Sequence, residues 1–349
     1  MLGESAKLNN RTLAIFVNLL PPSKNSMKFS FFKKKDKDVY SIGFYNLENL
    51  FDTADDHKTL DNDFTPRGPK KWSNKRYNRK LYKLAKTISE LGNKATAHFP
   101  VLMGVAEVEN ENVMQDLIDA EPLQDVNYGF VHYDSPDERG IDTALIYHKD
   151  CFEVLYSEPI ALLIYQKNGD RDTTRDILYV KGKLNGELIH VFVNHWPSRR
   201  AGSDETSFKR VKAAETIREY MANIESDEAD PNYIVMGDFN DGPESESIKA
   251  LMHSERLYNP MEKLLTPERG SANYKRSWML FDQIMVSHNF LNYEKGTHSF
   301  AHANIFDENF LTEFKGKYKG TPYRTYVGRK YIGGYSDHFP VYIQLKFNG

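Results

Sequence analysis

Residues 39–46 read VYSIGFYN, an aromatic and β-branched run that predicts a buried strand. A polar stretch with Pro66, Gly68 and Pro69 follows, so residues 52–72 read as a loop, long enough for a functional role. Tyr77, Leu81, Leu84, Ile88 and Leu91 then recur at helical spacing with lysines and arginines between them. A second apolar strand covers 100–107 and a helix 109–120, with strands at 128–132 and 141–147 joined by the turn-rich segment 134–140. Segments 176–184 and 188–195 flank Asn185-Gly186, a strong signal for a two-residue hairpin turn. Val211, Ala214, Ile217 and Met221 define an amphipathic helix over 208–221. A strand at 232–236, a short helix at 245–253 and strands at 281–287 and 339–347 complete the reading. Strand–helix–strand–helix order, antiparallel pairs and a return to the first order predict one α/β domain whose mixed sheets are covered by helices.

Composition narrows this picture. The 349 residues suffice for a large core, and no break in composition separates 39–349 into parts. Residues 1–38 are set aside as a tail: Lys7 and Arg11 precede an apolar run at 13–20 that matches a weak export signal without a small-residue cleavage site, and a start at Met27 reads equally well. No run is long enough for a membrane helix, so stable membrane insertion is not expected. The single cysteine, Cys151, rules out an internal disulfide and a cysteine zinc site, and suits a cytoplasmic location. A net charge of −3 argues against tight duplex binding by bulk charge, so phosphate contacts must be local or the substrate small.

Polar residues recur where apolar strands end: Asn46 and Glu48, Glu107, His195, Asp238 and Asn240, Asp282, and Asp337 with His338. Each alone has an ordinary structural reading, such as an Asx turn at Asp238 and Asn240 ahead of Gly242-Pro243. Together they are what phosphoester hydrolysis requires: carboxylates for a cation, a group to activate water, and donors for the transition state. Magnesium takes oxygen ligands and keeps several waters, so one or two carboxylates suffice to bind it.

The ordered set YNLEN at 45–49, VAEVEN at 105–110, VNHWPS at 193–198, GDFND at 237–241, FDQIMVS at 281–287 and YSDHFPV at 335–341 resembles the endonuclease/exonuclease/phosphatase superfamily, the deoxyribonuclease-I-like phosphoesterases. The resemblance implies a four-layered sandwich, two mixed β-sheets face to face with helices outside. It implies Mg2+ as cofactor, with Mn2+ as a substitute. Glu107 matches the principal metal-ligating glutamate, Asn46 and Glu48 the first-strand pair that helps hold the metal, and Asp337 a support of that site. His195 matches a histidine that contacts phosphate and assists the leaving group. Asp238 matches the residue that orients or deprotonates water, Asn240 a phosphate donor, His338 a base or phosphate ligand, and Asp282 the carboxylate that orients His338. Arg139, in RGIDTALIY, resembles an arginine that touches phosphate. Ala106 stands where many members have Gln, and Glu48 where others have Asp, Asn or Arg; Glu109 is a rival to Glu107.

The substrate class rests on loops, since fold does not fix it. Arg139, Lys181, Arg199 and Arg200 suggest an extended phosphate track and hence a nuclease or general phosphodiesterase acting on DNA or RNA as a monomer. WPSRRAG lacks the proline-rich histidine motif of the family's inositol phosphatases. A phosphatase or phosphodiesterase on a small or lipid substrate is the alternative, and an inactive binding protein a third reading that the full set of polar positions disfavours.

Overall fold

The computed structural model describes residues 35–166, 169–199, 202–253 and 255–349. The chain builds one sheet with β1 (Val39–Leu50), β2 (Leu102–Val108), β3 (Tyr128–His132) and β4 (Asp142–His148). It then crosses to a second sheet for β5 (Phe152–Ile160), β6 (Ile177–Leu184), β7 (Glu187–His195), β8 (Tyr233–Asp238), β9 (Leu257–Tyr258) and β10 (Asp282–Ser287). β11 (His298–Ile305) and β12 (Val341–Phe347) return to the first. The strand orders are β11-β12-β1-β2-β4-β3 and β9-β10-β8-β7-β6-β5, six strands in each sheet. Each sheet has one parallel pair at its heart, β1 with β2 and β7 with β8, flanked by antiparallel neighbours. The crossovers are the helices α1 (Asn74–Glu90) and α3 (Ser203–Asp227); α2 (Glu111–Asp119) and α4 (Glu246–Met252) follow β2 and β8.

Alternation along the strands sorts the core into layers. Ile42 and Phe44 face Ile234 and Met236 between the sheets. A Cβ on Gly104 would lie 2.5 Å from the Met236 sulfur, so the absent side chain is what lets the sheets meet there. Leu81, Leu84 and Ile88 of α1 cover the outer side of the first sheet. Ala213, Ile217 and Met221 of α3, with Ile248 and Leu251 of α4, pack on Tyr179, Phe192 and Val235 outside the second. This is the expected four-layered α/β sandwich.

Differences from the pattern-based reading have local causes. β1 runs on to Leu50 through a bulge after Asn46. β5 and β11 are edge strands, one carrying Pro159 and the other largely polar, so neither has the apolar signature of a central strand. α3 starts at Ser203, earlier than its apolar face suggests. The hairpin turn is as expected, with φ 47° at Asn185 and 94° at Gly186. The tail, with its choice of start and export signal, lies outside the described residues as far as residue 34; Asp36 already bridges Thr96 ahead of β1, so the chain joins the fold earlier than residue 39. Among the described residues no helix is long and apolar enough to cross a membrane.

Candidate active site

Register brings the polar strand ends together. In the second sheet Asp238 lies opposite Asp282 on one side and beside His195 on the other, and all three are buried. Asn46 ends the regular part of β1 in the facing sheet, and its Nδ2 donates to Asp238 Oδ2 at 3.0 Å, a bond between the sheets. Ser336 Oγ donates to the Asn46 carbonyl at 2.6 Å, which anchors the segment carrying Asp337 and His338.

Paired bulges aim the remaining groups. The ladders of β1 and β2 slip after Asn46 and at Glu107. Glu48, Asn49, Glu107 and Asn240 have φ of 52°, 54°, 62° and 50°, the left-handed region that side chains avoid unless their surroundings hold them there. Glu107 accepts from the Asn49 N–H at 2.8 Å, and its other oxygen lies 3.9 Å from His195 Nε2. Arg139 donates to Asn49 Oδ1 and comes within 3.9 Å of Glu107.

His338 donates Nδ1–H to Asp282 Oδ2 at 2.7 Å, and its Nε2 is 3.9 Å from Asp238 Oδ2. Burial alone would lower the imidazole's pKa, but Asp282 and Asp238 hold it well above the ordinary value. Burial pushes Asp238 up to about 6, against the pull of His338. Asp238 Oδ1 accepts the Asn240 N–H at 2.9 Å, and Asn240 Nδ2 donates to the Trp196 carbonyl.

Two candidate residues are held elsewhere. The Glu48 carboxylate accepts from the N–H groups of Thr325 at 2.6 Å and Tyr326 at 3.4 Å, and burial raises it to about 7. Arg199 donates to the Asn240 carbonyl and to Asp241, so it braces the turn after β8. Of the residues expected to form a phosphate track, Lys181 pairs with Glu228 and Arg199 with Asp241, and Arg200 lies outside the described residues. Glu109, the rival to Glu107, turns to the Asp52 N–H and lines an acidic cleft instead.

Two cations were not legible in the motifs. Arg324 donates to Asp337, which, despite burial, is held below the usual carboxylate range by His338 and Arg324. Lys80 of α1 is 2% exposed and donates to the Glu48 carbonyl at 2.5 Å and Thr325 Oγ1 at 2.9 Å. Lys80 belongs to the charged stripe of an amphipathic helix, where a solvated role is the usual one.

Among the described residues, two groups of acidic and histidine side chains could hold a metal ion, Asp238 with Asp282 and His338, and His132 with Asp134 and Asp142. In the first, Nδ1 of His338 is already committed to Asp282, which makes a hydrogen-bonded relay more than a cage. Glu107 and Asp337 are hard oxygen donors of the kind a divalent cation takes; Arg139 stands 3.9 Å from Glu107, whereas Arg324 already pairs with Asp337.

The fold and these strand-end groups define a phosphoesterase class. The Endonuclease/Exonuclease/phosphatase family matches residues 41–347, and the chain belongs to it. No curated protein matches the chain in sequence. Among solved structures, an endonuclease/exonuclease/phosphatase family protein from Bacteroides thetaiotaomicron is similar at 17% identity and TM-score 0.56, over 89% of this chain and 98% of that one. The mannosyl-6-phosphatase of B. thetaiotaomicron VPI-5482 is similar at 18% identity and TM-score 0.55, over 88% and 100%. D. rerio TDP2, complexed with single strand DNA product, is similar at 14% identity and TM-score 0.53, over 89% and 100%.

Proposed function

We propose that this chain hydrolyses a phosphoester by in-line attack of water, with a small phosphorylated molecule as the preferred substrate. Glu107 and Asp337, with the Asn46 amide close by, would hold Mg2+, with Mn2+ as a substitute, to supply charge neutralisation on the phosphoryl oxygens. Asp238 orients the attacking water and takes its proton. His338, oriented by Asp282, donates Nε2–H to a phosphoryl oxygen when protonated. His195 assists departure of the leaving oxygen, Asn240 donates its second amide hydrogen to phosphate, and Arg139 and Arg324 bind the phosphate from the flank. Glu48 supports the bulge from behind, and Arg199 has a bracing role.

The observation that carries the reading is the chain of contacts from Asp282 through His338 to Asp238, with Asn46 reaching Asp238 from the opposite sheet. The preference for a small substrate is supported by the cleft of about 700 Å³ lined by Asp52, Asp55, Asp56, Asp134 and Glu138, which would repel a polyanion. Nuclease action is the second reading, favoured by the basic side chains Lys70 and Arg76 beside the rings of Tyr326 and Tyr331. A cytoplasmic location accords with a single free thiol.

The deciding experiment is a substrate panel with Mg2+ and Mn2+: phosphorylated sugars, bis-p-nitrophenyl phosphate, single- and double-stranded DNA, and RNA. Turnover of sugar phosphates well above that of DNA is expected. Efficient DNA cleavage would move the reading to a nuclease, and inactivity on every phosphoester would end it.

A further inference from the structure

The junction of β3 and β4 holds a second set of ligand-type side chains. His132 ends β3, Asp134 begins the connecting loop, and Asp142 opens β4. His132 pairs with Ala144, so it shares a sheet face with Asp142, two residues before that partner. One ligand atom from each of His132, Asp134 and Asp142 lies within 4.8 Å of the others.

The imidazole is the informative member. His132 is 6% exposed, and neither ring nitrogen has a hydrogen-bond partner among the described residues. Nε2 stands 3.6 Å from Asp142 Oδ2, beyond a normal hydrogen bond. A neutral imidazole has one N–H and one lone pair. The carboxylates at hand are acceptors and cannot satisfy the lone pair, whereas a cation can. Asp142 is itself buried, which raises its pKa, and one of its oxygens accepts the Ser135 N–H at 3.0 Å. Asp134 and Asp142 also line the acidic cleft, which provides an entry path and a negative potential.

We propose that His132, Asp134 and Asp142 form a binding site for a divalent transition-metal ion, Zn2+ or Mn2+, separate from the carboxylates at Glu107. In a tetrahedral shell with bonds of about 2.0–2.2 Å, ligand atoms stand roughly 3.4 Å apart. The His132–Asp142 spacing is close to this, and Asp134, exposed at the loop's start, closes the rest by a side-chain rotation. An imidazole among few oxygens suits Zn2+ or Mn2+ better than Ca2+, which takes more oxygen ligands. The ion would pin one end of the loop whose other end delivers Arg139 to Asn49, while Arg175 pins its middle through Asp137 at 3.0 Å.

The test is calorimetric titration of Zn2+ into the full chain and into Asp134→Asn and His132→Gln variants. Because Asp134 is exposed, its variant keeps the fold. The wild-type chain should bind about one equivalent more than Asp134→Asn, or bind it at least about tenfold more tightly, and Ca2+ should not compete for that equivalent. Zinc-edge anomalous diffraction should place a peak within bonding distance of His132 and Asp142. Identical Zn2+ isotherms for wild type and Asp134→Asn, displacement by equimolar Ca2+, or a peak only at Glu107 would each overturn the proposal.

Discussion

Asp282 and His338 meet at 2.7 Å across a gap of 56 residues, and the carboxylate that holds the ring is fully buried. The strand partnership of β10 with β8 sets Asp282 opposite Asp238, and the Asp282 N–H donates to Ser271 Oγ at 3.2 Å, so ring orientation depends on sheet register. Asp282→Asn keeps the shape of the side chain but removes the charge that favours imidazolium. We predict a loss in kcat of roughly 100-fold or more with little change in KM, as for a group whose interaction matters mainly in the transition state. Steady-state kinetics showing unaltered kcat in the folded variant would dismiss the relay.

Glu107→Gln should weaken Mg2+ binding and abolish turnover while the fold persists, because the amide oxygen can still accept the Asn49 N–H that the part-buried carboxylate now holds. Calorimetric titration reads this directly. A folded variant with wild-type Mg2+ affinity would show that Glu107 is not a principal ligand.

The raised pKa of His338 also has a consequence for stability. The folded chain keeps a proton that the unfolded chain releases near the ordinary histidine value of roughly 6.5. The stabilisation is therefore fully present below that value and is lost as pH rises through the folded-state pKa. The difference in Tm between wild type and His338→Gln should shrink as pH rises above neutrality. A difference that grows with pH would mean that the ring is neutral in the fold. In kinetics, Asp238 at about 6 should appear as an acid limb in kcat/KM, shifted lower by a bound cation.

Lys80→Met should cost roughly 1–3 kcal/mol, since it leaves the buried Glu48 carbonyl and Thr325 Oγ1 without their donor. Urea unfolding measures it. A change within about 0.5 kcal/mol, the range of an ordinary surface substitution, would show that the ammonium is solvated.

Much of this architecture was legible because its signals are periodic. Apolar runs marked β1, β2, β7, β8 and β12, and the chemistry-bearing side chains sit at or beside their ends, where a sequence motif can be read. What escaped has a common physical reason. β5 and β11 lie at or near sheet edges and need no apolar faces on both sides. Lys80 acts through Thr325, 245 residues away, and Arg324 reaches Asp337 from a loop 13 residues before it; neither cation lies in a recurring motif. For Glu48 and Arg199 a motif position gave no hint of their neighbours, the Thr325 N–H and Asp241, which a bulge and a turn supply. A left-handed residue in mid-strand leaves no periodic trace, so the bulges at Glu48 and Glu107 could not be read beforehand.

The placement of β12 between β1 and β11 sets an order of events at the ribosome. β1 is made well before β12, so its antiparallel neighbour is not complete until residue 347 has left the exit tunnel. Until then the first sheet has an open seam beside its most apolar strand, and neither Asp337 nor His338 is held in place. Nascent chains arrested before Val341 should therefore be hydrolytically silent and prone to chaperone capture, with activity appearing only once synthesis has passed that strand.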